Sequence, residues 1–217
     1  MNKAEFLIPA IDADTPDMAV ALRKVGAKAD VDVVNWDEFP LRPKVRAFLG
    51  HDGCRLWCLF DVCEQHVRVR SLDADGPVWE DSCVELFIAD PDGEHYYNFE
   101  TNAGGTNLAA RRSSRTDFHL LPEVIRRGMV VKSSLPHEVF DLRDPAGVEW
   151  NLLIGIPFSA IGYAPGEVPS NLKMNMYKCG DLTDAPHFLS WRPIDTPTPD
   201  FHRPEFFGNV ILQKNND

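Results

Sequence analysis

Apolar and polar positions alternate along most of the chain with a period of two, in short runs. Residues 148–157 place Val148, Trp150, Leu152, Ile154 and Ile156 on one face, which predicts a strand with one side in a core. Residues 54–64 are apolar on both faces, as a strand buried on both sides would be. VELFIA at 84–89 and YYNFETN at 96–102 read as a strand pair, with further strands at 67–70, 129–133, 172–177, 188–192 and 207–212. Turn signals separate these runs: Asp75-Gly-Pro77, Asp90-Pro-Asp-Gly93, Asp144-Pro-Ala-Gly147 and Ala164-Pro-Gly166. A helix is expected over 18–28 and one helical turn over 157–161. Many short strands with turns between them predict an all-β fold, an antiparallel β-sandwich with short helical segments. With no internal repeat and no low-complexity linker, the whole of residues 1–217 is expected to be one domain.

Charge narrows the partners. Lys and Arg total 22 against 33 Asp and Glu, a formal net charge of −11, and no basic run offsets it. Such a chain repels phosphate polymers and anionic lipid, so neither nucleic acid nor a membrane surface is an expected partner. The first residues lack the basic start and long apolar centre of a secretion leader, and no stretch approaches the eighteen apolar residues of a membrane span. Five cysteines, an odd number, leave at least one free thiol. Both features make the cytoplasm the expected compartment, with an extracytoplasmic location as the alternative if a leader has been removed. The spacing of Cys54, Cys58 and Cys63 matches no standard zinc motif, and small buried hydrophobes describe these residues better. No serine sits in a G-x-S-x-G setting.

The most informative segment is Gly76-Pro-Val-Trp-Glu-Asp-Ser-Cys-Val-Glu-Leu-Phe-Ile-Ala89. Extended, it puts Ser82, Val84, Leu86 and Ile88 toward a core, and Trp79, Asp81, Cys83, Glu85 and Phe87 on the other face. A hairpin centred near Asp92 and Gly93 sets Glu85 opposite Glu100. Like charges directly opposed are destabilising, so a compensating group is required: Arg111, Arg112, Arg115 or Arg192, a bound cation, or hydroxyl donors from a ligand. An indole beside carboxylates suits a sugar, whose C–H face packs on an aromatic plane while its hydroxyls donate to acceptors. The same residues are also compatible with a strand-end core tryptophan and solvated acids.

The chain resembles the family 9 carbohydrate-binding module, and in particular stand-alone family 9-like proteins of gut bacteria. The matching pieces are Asn35-Trp-Asp-Glu-Phe-Pro40, Pro77 to Ile88, Tyr96-Tyr-Asn-Phe-Glu-Thr-Asn-Ala-Gly-Gly105 and Trp150 to Pro157. They continue with Asn175-Met-Tyr-Lys-Cys-Gly-Asp181, Pro186-His-Phe-Leu-Ser-Trp-Arg-Pro193 and Pro199-Asp-Phe-His-Arg-Pro-Glu-Phe-Phe-Gly208. The resemblance implies a β-sandwich that holds a mono- or oligosaccharide between two aromatic side chains, without catalysis. Trp79 and Glu85 match the first clamp aromatic and its acidic neighbour. Phe201 and His202 stand where the second clamp aromatic is expected, and Glu100 replaces a basic residue. On this reading Trp79 is the stacking platform and Phe201 the opposing wall. Asp81, Glu85, Glu100 and Asn102 are the hydrogen-bonding groups, and His202 and Arg192 close the rim. The resemblance also admits bound calcium, with Asp90 and Asp92 as ligands, although no calcium-loop motif is present.

Two alternatives have their own residues. Asp81 with Glu85, or Glu85 with Glu100, has the composition of a glycosidase acid pair. Met174, Met176, Lys178 and His202 are of the types that ligate haem, although no C-x-x-C-H occurs. His187 is expected to be a structural hydrogen-bonding residue, and Trp36, Trp57, Trp150 and Trp191 are expected to be core.

Overall fold

The computed structural model describes residues 6–214, which form fourteen strands and two short helices. The strands are β1 (Phe6–Ile8), β2 (Ala27–Asp30), β3 (Val33–Val34), β4 (Lys44–His51), β5 (Arg55–Val69), β6 (Cys83–Ala89) and β7 (Tyr96–Asn102). They continue with β8 (Asn107–Arg112), β9 (Phe118–Leu120), β10 (Val130–Ser133), β11 (Phe140–Pro157), β12 (Asn171–Cys179), β13 (Phe188–Ser190) and β14 (Gly208–Leu212). The helices are α1 (Met18–Val25) and α2 (Glu123–Arg127).

One sheet runs β1-β14-β12-β6-β7-β8-β9, with β13 pairing β12 and β3; the other runs β10-β11-β5-β4-β2. All pairs between described strands are antiparallel except β1–β14, which is parallel. The all-β sandwich is therefore as the alternation predicts, with one parallel edge strand added.

The inward-facing residues of both sheets interdigitate into one core. Val45, Ala47, Leu49, Leu56, Cys58, Phe60, Leu152, Ile154 and Ile156 come from one side. Val84, Leu86, Ile88, Phe99, Met174, Met176 and Val210 come from the other. Burying a side chain of this size contributes about 1.5–3 kcal/mol, which is what fixes the register of every strand. A one-residue slip would turn the apolar set of β6 outward and leave Glu85 in the core.

Neither outer face is left bare. On the β4–β5–β11 sheet, α1 lays Leu22 over Ile11, Trp57, Leu59 and Leu153. Asp17 caps α1 by accepting from Val20 N at 3.1 Å, and Arg23 at its other end pairs with Asp61 at 2.6 Å. The helix stops at Gly26, earlier than the expected residue 28, because Ala27–Asp30 joins the sheet as β2. Trp57 lies across Gly155 of the neighbouring strand. A Cβ there would sit 2.4 Å from the indole, so only glycine lets the ring close down.

On the other sheet, Cys83, Phe87, Tyr96, Leu108, Ala110, Tyr177 and Cys179 pack outward against Trp36, Ile194, Phe201 and Phe207 from the connecting segments. Trp36, Trp57 and Trp150 are core residues as expected. Trp191 is half-buried between Phe6, 4.8 Å away, and the Arg192 guanidinium at 3.9 Å.

Several boundaries differ from the sequence reading. The expected strands at 54–64 and 67–70 are one long strand, β5. The Asp144–Gly147 signal does not end a strand; it forms a bulge inside β11, which pairs with β5 on both sides of it. The turn chemistry there is local, while the pairing with β5 is set by flanking apolar residues. Strands β4 and β8 escape the sequence reading because charged residues interrupt their apolar periodicity.

Candidate functional site

The segment before β6 is not a continuous strand. Residues Val78–Glu80 form a 3-10 turn, and the extended run begins only at Cys83. Val78 is fully buried and pins the turn. Asp181 N and Leu182 N donate to the carbonyls of Trp79 and Glu80 at 3.3 and 3.0 Å, tying the turn to the segment after β12. Trp79 therefore reaches the outer face of the sheet from a turn and keeps 37% of its surface exposed.

Beside the indole lies a cleft of about 290 Å³. Its floor comes from strands: Glu85 of β6, Glu100 of β7, Leu108 and Arg112 of β8, and Cys179 of β12. Its rim comes from connections and a short edge strand: Trp79, Arg115, Phe118, Asp181, Phe201 and His202. Of the eight residues expected at a ligand site, Trp79, Glu85, Glu100, Phe201 and His202 line this cleft. Asp81, Asn102 and Arg192 do not.

The reasons are local. Asp81 is buried and accepts from Arg68 Nη1, Arg70 N, Ser71 N and Asn102 Nδ2, all at 2.9–3.0 Å. Asn102 completes the same knot, donating to Ser71 O at 2.8 Å and accepting from Thr106 N at 3.0 Å. Both residues hold the chain beneath the Trp79 turn. Arg192 stacks on Trp191 and opens onto a different groove, beside Gly208.

Glu85 and Glu100 are directly opposite across β6–β7, as the hairpin reading predicts, and both are 3% exposed. Glu100 Oε1 accepts from Asn98 Nδ2, and Arg112 Nη2 stands 3.9 Å from it. Of the four arginines put forward as compensators, Arg112 is therefore the one that faces Glu100. It is held by donating to Asn98 Oδ1 and Arg115 O, and its guanidinium lies 4.2 Å over the Phe118 ring. Glu85 Oε1 accepts from Cys179 Sγ at 3.0 Å. Glu100 Oε2 is buried with no partner.

Burial and the neighbouring Glu100 push the Glu85 carboxyl well above the ordinary carboxylate range. Burial, opposed by Arg112, lifts Glu100 to about 7. Burial also raises Asp181 to about 6. At neutral pH the floor thus carries both a carboxylic acid and a carboxylate, so it offers a donor as well as acceptors. His202 is pushed down to about 3 by burial and the nearby arginines, and is neutral; its Nδ1 shares a 3.0 Å hydrogen bond with the Tyr96 hydroxyl. Phe201 stacks on Tyr177 at 4.2 Å and is mostly buried, so the exposed aromatic surface of the cleft is that of Trp79 and Phe118.

Phe118 and Asp181 escape the sequence reading. Phe118 sits in a three-residue edge strand and Asp181 in a turn, where no periodicity marks a face. A signal for Arg112 does exist: it shares parity with Leu108 and Ala110, the outward residues of β8.

The other candidate centres separate. Met174 and Met176 lie in the inter-sheet core. Lys178 lies on their side of β12, buried against Glu64 at 2.9 Å, whereas His202 stands over the opposite face, so the haem-type residues do not converge. The expected structural role of His187 fits its bonds: Nε2 meets Lys178 Nζ at 2.8 Å and Nδ1 meets Ala185 O at 2.9 Å. Asp90 and Asp92, the residues named for calcium, are both bridged by Arg111 at 2.6 Å.

A two-sheet sandwich with an aromatic-edged, carboxylate-floored cleft on one outer face has the form of a small-ligand-binding module. The model of carbohydrate-binding family 9 matches residues 15–212, and the chain belongs to that family. A protein of Bacteroides uniformis, provisionally described as carbohydrate-binding, is 30% identical and superposes with a TM-score of 0.88, over 96% of this chain and 99% of that one. A family 9 module of Caldicellulosiruptor kristjanssonii in complex with glucose shares the fold at 13% identity and a TM-score of 0.58, over 97% of each chain. Its complex with cellotriose superposes at 12% identity and 0.54, over 98% of this chain and 95% of that one. No curated protein matches the chain.

Proposed function

We propose that the cleft binds a mono- or short oligosaccharide without turning it over. The observation that carries this reading is the buried, unpartnered Glu100 Oε2 on the floor beside a partly exposed indole. A buried carboxylate oxygen without a donor costs on the order of 1–3 kcal/mol, which a ligand hydroxyl would recover. Trp79 supplies an apolar plane for the C–H face of the ring with little side-chain entropy lost. The Glu85–Glu100 pair accepts from one hydroxyl and donates to another, matching the two-way hydrogen bonding of a sugar. His202, neutral and fixed through Nδ1, and Arg115 and Asp181 complete the polar rim. Membership of a carbohydrate-binding family, and the glucose and cellotriose held by the C. kristjanssonii module, support the ligand class.

The test is calorimetric titration with sugars selected on a glycan array, comparing wild type with Trp79→Ala. Loss of the platform should weaken binding about tenfold or more, from the 0.5–1.5 kcal/mol of aromatic packing plus the apolar area lost. Equal affinity in the two proteins would refute the site. Release of reducing sugar that depends on Glu85 would refute the non-catalytic role.

A further inference from the structure

We propose that Cys83, Glu85 and Cys179 form a site for one thiophilic divalent cation of the zinc class, set into the floor of the cleft. Cys83 and Cys179 are direct partners across β6–β12, and both point to the outer face. Glu85 follows two residues after Cys83 and shares that face. The two sulfurs and a carboxylate oxygen all lie within 4.8 Å of one another, and Cys179 Sγ stands 3.0 Å from Glu85 Oε1. Zinc–sulfur bonds of about 2.3 Å and zinc–oxygen bonds of about 2.0–2.2 Å give tetrahedral edges of roughly 3.5–3.8 Å, which this triangle meets with small side-chain adjustments. All three residues are buried on adjacent, fully paired strands, so the triangle is held rather than gathered from loops.

The donor set decides the ion. Two sulfurs and one carboxylate favour zinc over calcium or magnesium, which take oxygen. Three protein ligands leave a fourth position, and it opens into the cleft, because Glu85 and Cys179 line it. That opening is also the route of entry. Glu100, directly opposite Glu85, adds a second observation at the same floor: its Oε2 is buried and unpartnered. Without metal, the Cys179 thiol donates to Glu85. Loading exchanges one dication for the protons of its ligands: both thiols become thiolates and the Glu85–Glu100 pair gives up the proton it shares, so two to three protons leave and the site carries one negative charge. Affinity should accordingly rise with pH. The remaining three thiols are elsewhere: Cys58 is in the inter-sheet core, whereas Cys63 is half-buried and Cys54 exposed, so of the three only Cys58 is the buried hydrophobe expected from the sequence. The site shares Glu85 and the cleft floor with the saccharide reading, but a Co²⁺ titration needs no sugar and a sugar titration in chelator needs no metal, so the failure of one is told from the failure of the other.

The experiment is a titration of chelator-treated full-length protein with Co²⁺, followed by absorption and then by displacement with Zn²⁺. One equivalent should bring up a sulfur-to-cobalt charge-transfer band together with the visible bands of a tetrahedral site, and Zn²⁺ should erase both. Cys83→Ser and Cys179→Ser should each lose the charge-transfer intensity and weaken binding roughly 100-fold, and Glu85→Gln should keep the band at weaker affinity. Cys54→Ser should behave as wild type. Should the buried cysteine variants misfold, the wild type serves: Zn²⁺ should release at least two protons per ion and shield Cys83 and Cys179 from alkylation mapped by peptide mass. No charge-transfer band, a band retained in Cys83→Ser, or protection confined to Cys54 or Cys63 would each overturn the proposal.

Discussion

Glu85 and Glu100 face each other across a hairpin, both 3% exposed, and Glu100 Oε2 is buried without a partner. Two buried carboxylates at neighbouring strand positions cannot both ionise cheaply, so the pair retains a proton that an unfolded chain would release. The fold tolerates this at the floor of its cleft.

A pH dependence follows. Glu100 titrates near 7 in the folded chain and near 4.5 when unfolded. The native state therefore binds more protons between those values, and stability falls as pH rises from about 4.5 through about 7. In the presence of a chelator, urea unfolding should lose on the order of 2 kcal/mol over that window. Glu100→Gln should flatten the loss and unfold at higher urea than wild type at pH 8. An unchanged slope in the variant would show that the pair does not carry the proton.

Lys178 offers a contrasting buried charge. Its ammonium meets Glu64 at 2.9 Å, Cys179 O at 2.7 Å and His187 Nε2 at 2.8 Å, and Trp150 Nε1 donates to the other Glu64 oxygen at 2.9 Å. The cluster joins β12 of one sheet to β5 and β11 of the other. Lys178→Met leaves Glu64 buried and uncompensated and should cost about 3–5 kcal/mol, with Lys178→Met/Glu64→Gln recovering much of it. Chemical denaturation of the single and double variants measures the coupling.

Asp81 separates anchoring from contact. It accepts four hydrogen bonds beneath the Trp79 turn and does not line the cleft. Asp81→Asn turns an amide NH₂ toward donors and should destabilise the protein by about 2 kcal/mol. Trp79→Ala, at a partly exposed site, should change stability by less than about 1 kcal/mol. Thermal unfolding of the two variants tells them apart.

Phe118 is the aromatic that the sequence reading does not supply. Exposed at 43% and stacked under Arg112, it should contribute to binding and not to folding. Phe118→Ala is expected to weaken a bound sugar roughly three- to tenfold with an unchanged melting temperature.

What the sequence discloses about this site follows from the range of each interaction. The β6–β7 register was legible because two alternating strands and one tight turn determine it locally, and so the meeting of Glu85 with Glu100 could be read directly. Alternation assigns Trp79 to the face of the cleft as if the chain were extended there, whereas a 3-10 turn delivers it. Asp81 and Asn102 read as ligand groups because their donors, Arg68, Arg70 and Ser71, come from the end of β5, and no pattern in residues 76–102 reveals them. Arg192 lies away from the cleft, its guanidinium stacked on the adjacent Trp191, a contact that composition does not reveal.

The sheet that bears the cleft is packed on both faces, by the inter-sheet core beneath and by the layer of Trp36, Phe201 and Phe207 above. Its acidic and sulfur-bearing floor is thereby locked to the scaffold, while Trp79, Phe118, Asp181 and His202 ride on turns or at an edge. Descendants of such a protein can exchange their preferred ligand by rewriting those border positions, whereas altering the base would mean rebuilding the sandwich itself.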